Sequence, residues 1–317
     1  MYIEKAFKGR SKFYWYLLGT IILIVSQVIG SVPLIVVAVA KGKLEALDNF
    51  NELMNMGISQ NMTLVLMMLP FVASFICLTL WIKYVQRQTV TDTVTARARI
   101  DWNRVLFGAG VWFALSAVSA LIGYVADPDN FVWQADWGQF FNLLIIAIVL
   151  IPIQAGTEEL VFRAYYMQGI GVLAKYRWIP LFLTSTFFGL LHMGNPEVTE
   201  FGVAVMLPQY ILIGLVFGVM TLMDDGAELA IGAHIANNIF ASLFFTHSSS
   251  ALQTPALFKV QEVDPSLGWI EITFMGVLAC VFFGRKYKWN DWGKMFGRIG
   301  KAPIVKERNP EVLDQMV

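Results

Sequence analysis

An all-α, polytopic membrane protein of about eight transmembrane helices is the fold that this sequence predicts, on three observations. The 317-residue chain is 57% hydrophobic and only 15% charged, with a mean hydropathy of +0.61, where soluble domains carry nearer a quarter charged residues. Eight apolar runs punctuate it, each close to the roughly 20 residues that cross a hydrocarbon core. Its lysines and arginines collect in alternate connections, as the positive-inside bias requires. Lipid offers unpaired backbone groups no partner, so the runs are helical.

Run by run, the first (13–40) follows the basic stretch MYIEKAFKGRSK. It is too long for a signal-peptide core and has no clear cleavage site, so it reads as retained. The second (63–82) contains Pro70, and the third covers 105–126. The fourth (139–170) holds Pro152 and the charged stretch TEELVFR; the fifth covers 179–195. The sixth (203–223) contains Pro208, the seventh spans 228–246 and the eighth 268–284. Proline is expected to kink these helices, and Pro152 to open the fourth near its charges. The domain reading is a basic cytoplasmic N-terminus (1–12), one membrane domain (13–284) with its motif core at 139–245, and a basic cytoplasmic tail (285–317).

Lys41, Lys43 and Lys259 fall on one side of this topology and the other 20 of the 23 basic residues on the opposite side. That bias places both termini in the cytoplasm of a multi-pass protein, in a plasma or inner membrane. The tail's Trp289 and Trp292, interleaved with basic residues, suit either an interfacial anchor or a solvated positive tail. A formal net charge of zero argues against a nucleic-acid partner, and two cysteines, Cys77 and Cys280, argue against a disulfide framework. DDGAE (Asp224 to Glu228) reads as a polar turn punctuated by Gly226, with acidic residues starting the next helix.

Ionisable groups inside apolar runs are expensive and therefore informative. Glu159 and Arg163 stand four apart, as do Phe188 and His192, and His234 and Asn238. Residues four apart share a helix face, so three helices can each turn a pair inward. An ion pair between Glu159 and Arg163 lowers the cost of burying both. Glu158 has Phe162 four residues on and is left the freer carboxylate, the candidate general base. Its depth is about 25 Å from Lys175 along an ideal helix and that of His192 about 22 Å from Arg177, so the two can meet; His234 is shallower, at about 15 Å from Asp224. His247 receives no role, and Phe188 reads as packing or a cavity wall.

Together EELVFR (Glu158, Glu159, Arg163), FGLLH (Phe188, His192) and HIANN (His234, Asn238) resemble, in order and spacing, the E-E-x-x-x-R, F-x-x-x-H and H-x-x-x-N motifs of the CPBP family. That family comprises intramembrane glutamic endopeptidases, the CAAX-protease and bacteriocin-processing or Abi-type proteins. The resemblance covers roughly 139–245. It implies a peptidase with a cytosol-facing cavity, in which Glu158 and His192 activate a water, His234 and Asn238 hold the oxyanion, and Glu159 and Arg163 organise the site. Base and oxyanion donors are what peptide hydrolysis needs. A zinc ion on Glu158, His192 and His234 is the alternative. The chain has no H-E-x-x-H, and an all-protein mechanism with no required cofactor is preferred.

The partners this implies are the bilayer and a membrane-tethered peptide or protein, prenylated or not; oligomeric state is not legible. Two other classes compete. A non-catalytic protein of the same fold (chaperone, immunity protein or scaffold) predicts degenerate motifs, whereas all three are intact. A proton-coupled transporter predicts repeat symmetry and paired broken helices, which the sequence does not display. Structural roles also compete residue by residue: a lone intramembrane histidine often only bridges helices.

Overall fold

The computed structural model describes residues 1–48 and 50–300. Eight main helices follow the eight apolar runs: α1 Phe13–Ala40, α2 Gln60–Leu80, α3 Trp102–Ala126, α4 Trp137–Glu159, α5 Trp178–Leu191, α6 Val203–Asp224, α7 Glu228–Phe244 and α8 Gly268–Tyr287. Capping side chains start three of them: Ser59, Asp101 and Asp136 accept hydrogen bonds from backbone N–H groups of α2, α3 and α4. Six helices are long and apolar enough to cross a bilayer. With 14 and 17 residues, α5 and α7 fall short of about 20. The chain is thus an all-α polytopic membrane protein, with six candidate spans and two shorter helices packed among them in the described residues.

A small sheet accompanies the bundle that the hydropathy pattern does not foreshadow. Its strands are β1 Phe131–Trp133, β2 Phe245–Thr246 and β3 Phe258–Val260. In the order β1-β3-β2, β3 pairs antiparallel to β1, with Val132 opposite Lys259, and parallel to β2.

At the other end the basic segments come together, and their acidic partners with them. Lys5 and Lys8 pair with Asp92 at 2.7 and 2.9 Å. Arg97 reaches Asp224 (2.8 Å) and Glu228 (3.1 Å), and Arg104 also binds Asp224. Arg177 pairs with Glu4, and Lys294 with Asp225 at 2.6 Å. Three features here go beyond what the sequence reading says. The N-terminal stretch is folded against the bundle: Ile3–Lys8 forms a 3₁₀-helix with Tyr2 and Ile3 fully buried. The acidic turn is buried too, because two arginines from the 83–104 connection neutralise it. Trp289 is buried and donates its indole N–H to Asp224. Lys301, Lys306 and Arg308 of the tail lie outside the described residues.

Close helix contact is set by two glycines on the α3–α7 seam. A Cβ at Gly232 would stand 1.9 Å from the Val105 carbonyl oxygen, and one at Gly108 2.5 Å from that of Leu229. Gly232→Ala is expected to cost roughly 1–3 kcal/mol through overpacking, read as a lower Tm in detergent. Gly110→Ala, with open space at its Cβ, should leave Tm unchanged.

Burial pushes the Asp92 carboxyl up, but hydrogen bonds from Lys5 and Lys8 outweigh it and hold the group below its ordinary value of 3.8. A depressed folded-state value contributes stability above the ordinary value, lost as pH falls through the folded one. Asp92→Asn should therefore speed hydrogen exchange at amides 3–8 at neutral pH, while the wild type loosens there only in acid below 3.8. Equal exchange in both proteins at neutral pH would count against this tether.

Candidate active site

Glu158 and Glu159 are the last two residues of α4, which runs unbroken through Pro152. What changes the helix is the next segment: Leu160–Tyr166 is a seven-residue π-helix before α-helix resumes at Met167. Wide turns of this kind concentrate at functional sites. The Tyr2 hydroxyl donates to the Arg163 carbonyl within it, so the N-terminal segment supports the wide turn. Pro152 therefore does not open the helix, and the irregularity lies beyond the carboxylates.

The expected ion pair is present. Arg163 Nη1 donates to Glu159 Oε1 at 3.1 Å, and Nη2 to the Gly214 carbonyl at 3.1 Å. Both residues are fully buried, and the guanidinium stacks over Phe188 at 4.3 Å. Glu159 has a second partner: His234 Nδ1 lies 2.8 Å from the same oxygen. The other nitrogen of His234, Nε2, faces Glu158 Oε2 at 3.5 Å. Glu158 also accepts from Gln154 Nε2 at 2.8 Å, one helical turn back. The freer carboxylate is thus not unpartnered, and the imidazole nearest it is His234 rather than His192.

His192 ends the short α5. Its Nδ1 lies 2.7 Å from the Phe188 carbonyl, and since a carbonyl only accepts, Nδ1 carries the proton and Nε2 the lone pair. Phe188 and Tyr210 sandwich the ring, with Tyr210 stacked at 4.7 Å. Glu158, His192, His234 and Asn238 all line one cavity of about 340 Å³, as does Phe188, the expected wall. Glu159 and Arg163 stand behind that wall, and His247 is not among its residues. A cavity turned towards the basic end is the expectation. The connections that border it, at Asn195 and Glu197 and at Ser250 to Leu252, instead follow the ends of α5 and α7 furthest from the basic segments.

Residues 136–240 match the protein family described as type II CAAX prenyl endopeptidase, Rce1-like. The chain is also 33% identical over 208 residues to the uncharacterized protein YyaK of Bacillus subtilis (strain 168), covering 64% of this chain and 67% of that one. No solved structure matches it. The chain belongs to the CPBP family of intramembrane proteases. The family match spans the three motifs from α4 almost to the end of α7, the same stretch that builds the cavity.

Several residues of this CPBP site escape sequence reading because each is a single polar side chain in an apolar helix. Gln154 accepts from Asn238 Nδ2 (2.9 Å) while donating to Glu158, and so couples base and amide. Asn237 donates to Asn238 (3.0 Å) and accepts from the Trp112 indole (3.1 Å). The i−4 spacing of Gln154 from Glu158 was a usable signal; Trp112 and Tyr210, from other helices, gave none. Both nitrogens of His234 face carboxylates, His192 Nδ1 is turned to a carbonyl, and among the described residues no three His, Cys, Asp or Glu side chains converge to hold an ion.

Removing Arg163 would leave Glu159 buried beside only His234. Arg163→Leu is expected to destabilise the protein by about 3–5 kcal/mol, read by thermal unfolding in detergent. Pairing it with Glu159→Gln should recover part of the loss, because no uncompensated carboxylate then remains.

Proposed function

We propose that this cavity hydrolyses a peptide bond of a membrane-anchored protein or peptide, using a water activated by Glu158 and His192 and no metal. The observation carrying this is the convergence of Glu158, His192, His234 and Asn238, from three helices, on one cavity inside a membrane protein. Glu158 Oε2 is buried without a hydrogen-bond donor among the described residues, and it is the acceptor offered to the water. His192 Nε2 has the lone pair for a proton, and its ring is fixed by the Phe188 carbonyl and Tyr210. Hydroxide adds to the carbonyl carbon, and the carbonyl oxygen takes the negative charge.

Asn238 supplies one donor to that oxyanion, because its Nδ2 has a second hydrogen beyond the one given to Gln154. His234 turns Nδ1 to Glu159 at 2.8 Å, and its Nε2, which lies 3.5 Å from Glu158 and is too far for a committed hydrogen bond, is the second group placed to face that oxyanion. The proton held by Glu158 or His192 passes to the leaving nitrogen as the C–N bond breaks. Glu159 and Arg163 fix His234 from behind. The basic end, with both termini, faces the cytoplasm by the positive-inside bias.

Purified protein in proteoliposomes, given a quenched fluorescent peptide bearing a lipid anchor, tests this. Glu158→Gln and His192→Ala are each expected to lower kcat/KM by about 10²–10⁴-fold, the usual worth of a general base, with Tm unchanged. A chelator such as 1,10-phenanthroline should leave the rate intact. Full cleavage by either variant would remove the assigned roles. Comparing the membrane proteomes of wild-type and Glu158→Gln cells should reveal the natural substrate as a peptide that accumulates uncut.

A further inference from the structure

The cavity has a carboxylate that the proposed hydrolysis does not use. Glu197 sits at its border, where Oε1 accepts the Ala251 N–H at 2.8 Å and ties the 250–252 segment down. The Tyr210 hydroxyl stands beside it and accepts from Asn195 at 3.1 Å. These are neutral donors. No lysine or arginine lines the cavity, and among the described residues none pairs with Glu197.

Charge accounting around the site then leaves one anion over. Arg163 is committed to Glu159. His234, even as an imidazolium, offers one positive charge between Glu159 and Glu158. His192 must be neutral to act as a base. Together Arg163 and His234 balance at most Glu158 and Glu159, and Glu197 is left without a cation: burial pushes its carboxyl up, and only the N–H groups of Ala251 and of Glu197 itself and the Tyr210 hydroxyl favour its charged form. A buried anion in such a place favours any ligand that brings a cation and disfavours one that brings another anion.

We propose that Glu197 sets substrate choice: the cavity takes a peptide with lysine or arginine close to the scissile bond and rejects one whose free C-terminal carboxylate would enter it. This rests on the peptidase reading above and gives it a substrate class. The second half has a direct consequence. In a C-a-a-X tail cut to release its last three residues, the terminal carboxylate lies within about 10 Å of the bond. It would enter a cavity lined by Glu158 and Glu197 and by no lysine or arginine. An internal bond in a basic stretch beside a membrane anchor fits better.

Binding, measured apart from turnover, tests this. The full-length His192→Ala protein, which lacks the proposed base but keeps every charge in this count, is titrated in detergent with palmitoylated, fluorescein-labelled nonapeptides of alternating leucine and alanine. These carry a central lysine, glutamine or glutamate, each as C-terminal amide, and the glutamine peptide is also made as a free acid truncated three residues past the centre. The lysine peptide is expected to bind about tenfold more tightly than the glutamate peptide, about 1.4 kcal/mol, and the truncated acid more weakly than its amide. Adding Glu197→Gln, which keeps an oxygen for Ala251, should reduce the lysine-to-glutamate ratio to about twofold or less. Glu197→Lys should invert it. An unchanged ratio in both variants overturns the proposal. Because binding here needs no cleavage, failure of the hydrolytic mechanism appears separately, as wild-type protein that discriminates among these peptides but cuts none.

Discussion

A guanidinium buried in the middle of a membrane bundle is tolerable only if every direction around it is occupied, and Arg163 sets that condition for the rest of the protein. Glu159 supplies the counter-charge and the Gly214 carbonyl a second acceptor, while Phe188 covers the planar face. Each partner sits on a different stretch of chain, so satisfying one side chain fixes α4, α5 and α6 against each other. Glu159 in turn orients His234 on α7. Such a pair adds little net stability against an apolar replacement. What it supplies is position, because the contacts that neutralise Arg163 and Glu159 also bring residues of three motifs to one cavity.

The wide turn at Leu160–Tyr166 belongs to the same device. It departs from α-helical geometry just after the two carboxylates, and Tyr2, 161 positions away in sequence, reaches the Arg163 carbonyl inside it. Gln168 then donates to the carbonyl of Asp92, and Gln88 to Gln168 (2.9 Å each). The N-terminal segment and the 83–104 connection thus form a fitted base beneath the site. Buried polar groups of this kind are worth keeping only when satisfied together.

Much of this was legible beforehand, for reasons that explain the remainder. Helix positions follow from hydropathy, which lipid enforces, and the Glu159–Arg163 pair from i, i+4 geometry. The three motifs share the cavity because each is carried by one short helical stretch. Side chains that meet across helices were not legible: Tyr210 against His192, Asn237 against Trp112, Gln154 between Glu158 and Asn238. Their spacing in sequence is arbitrary, so no periodicity reports them. Burial of the N-terminal 3₁₀-helix and of the Asp224–Glu228 turn was missed for a related reason. Composition sees a charge but not the opposite charge, Asp92 or Arg97, that lets it leave water. The length of α5 was misjudged because the run read as a span, 179–195, continues four residues past the end of the helix.

That length matters to the lipid as well as to the protein. Fourteen residues of α-helix reach about 21 Å, against a hydrocarbon thickness of about 30 Å. The exposed flank of α5, with Phe182, Phe187 and Leu191 facing outward, matches only part of an acyl layer, and a mismatch of this size is met by thinning of the adjacent leaflet. A bilayer that thins to meet this flank would bring the headgroup region closer to the end of α5 that carries His192. For the hydrolysis proposed above, one short helix would then serve as the route by which water reaches a site among acyl chains.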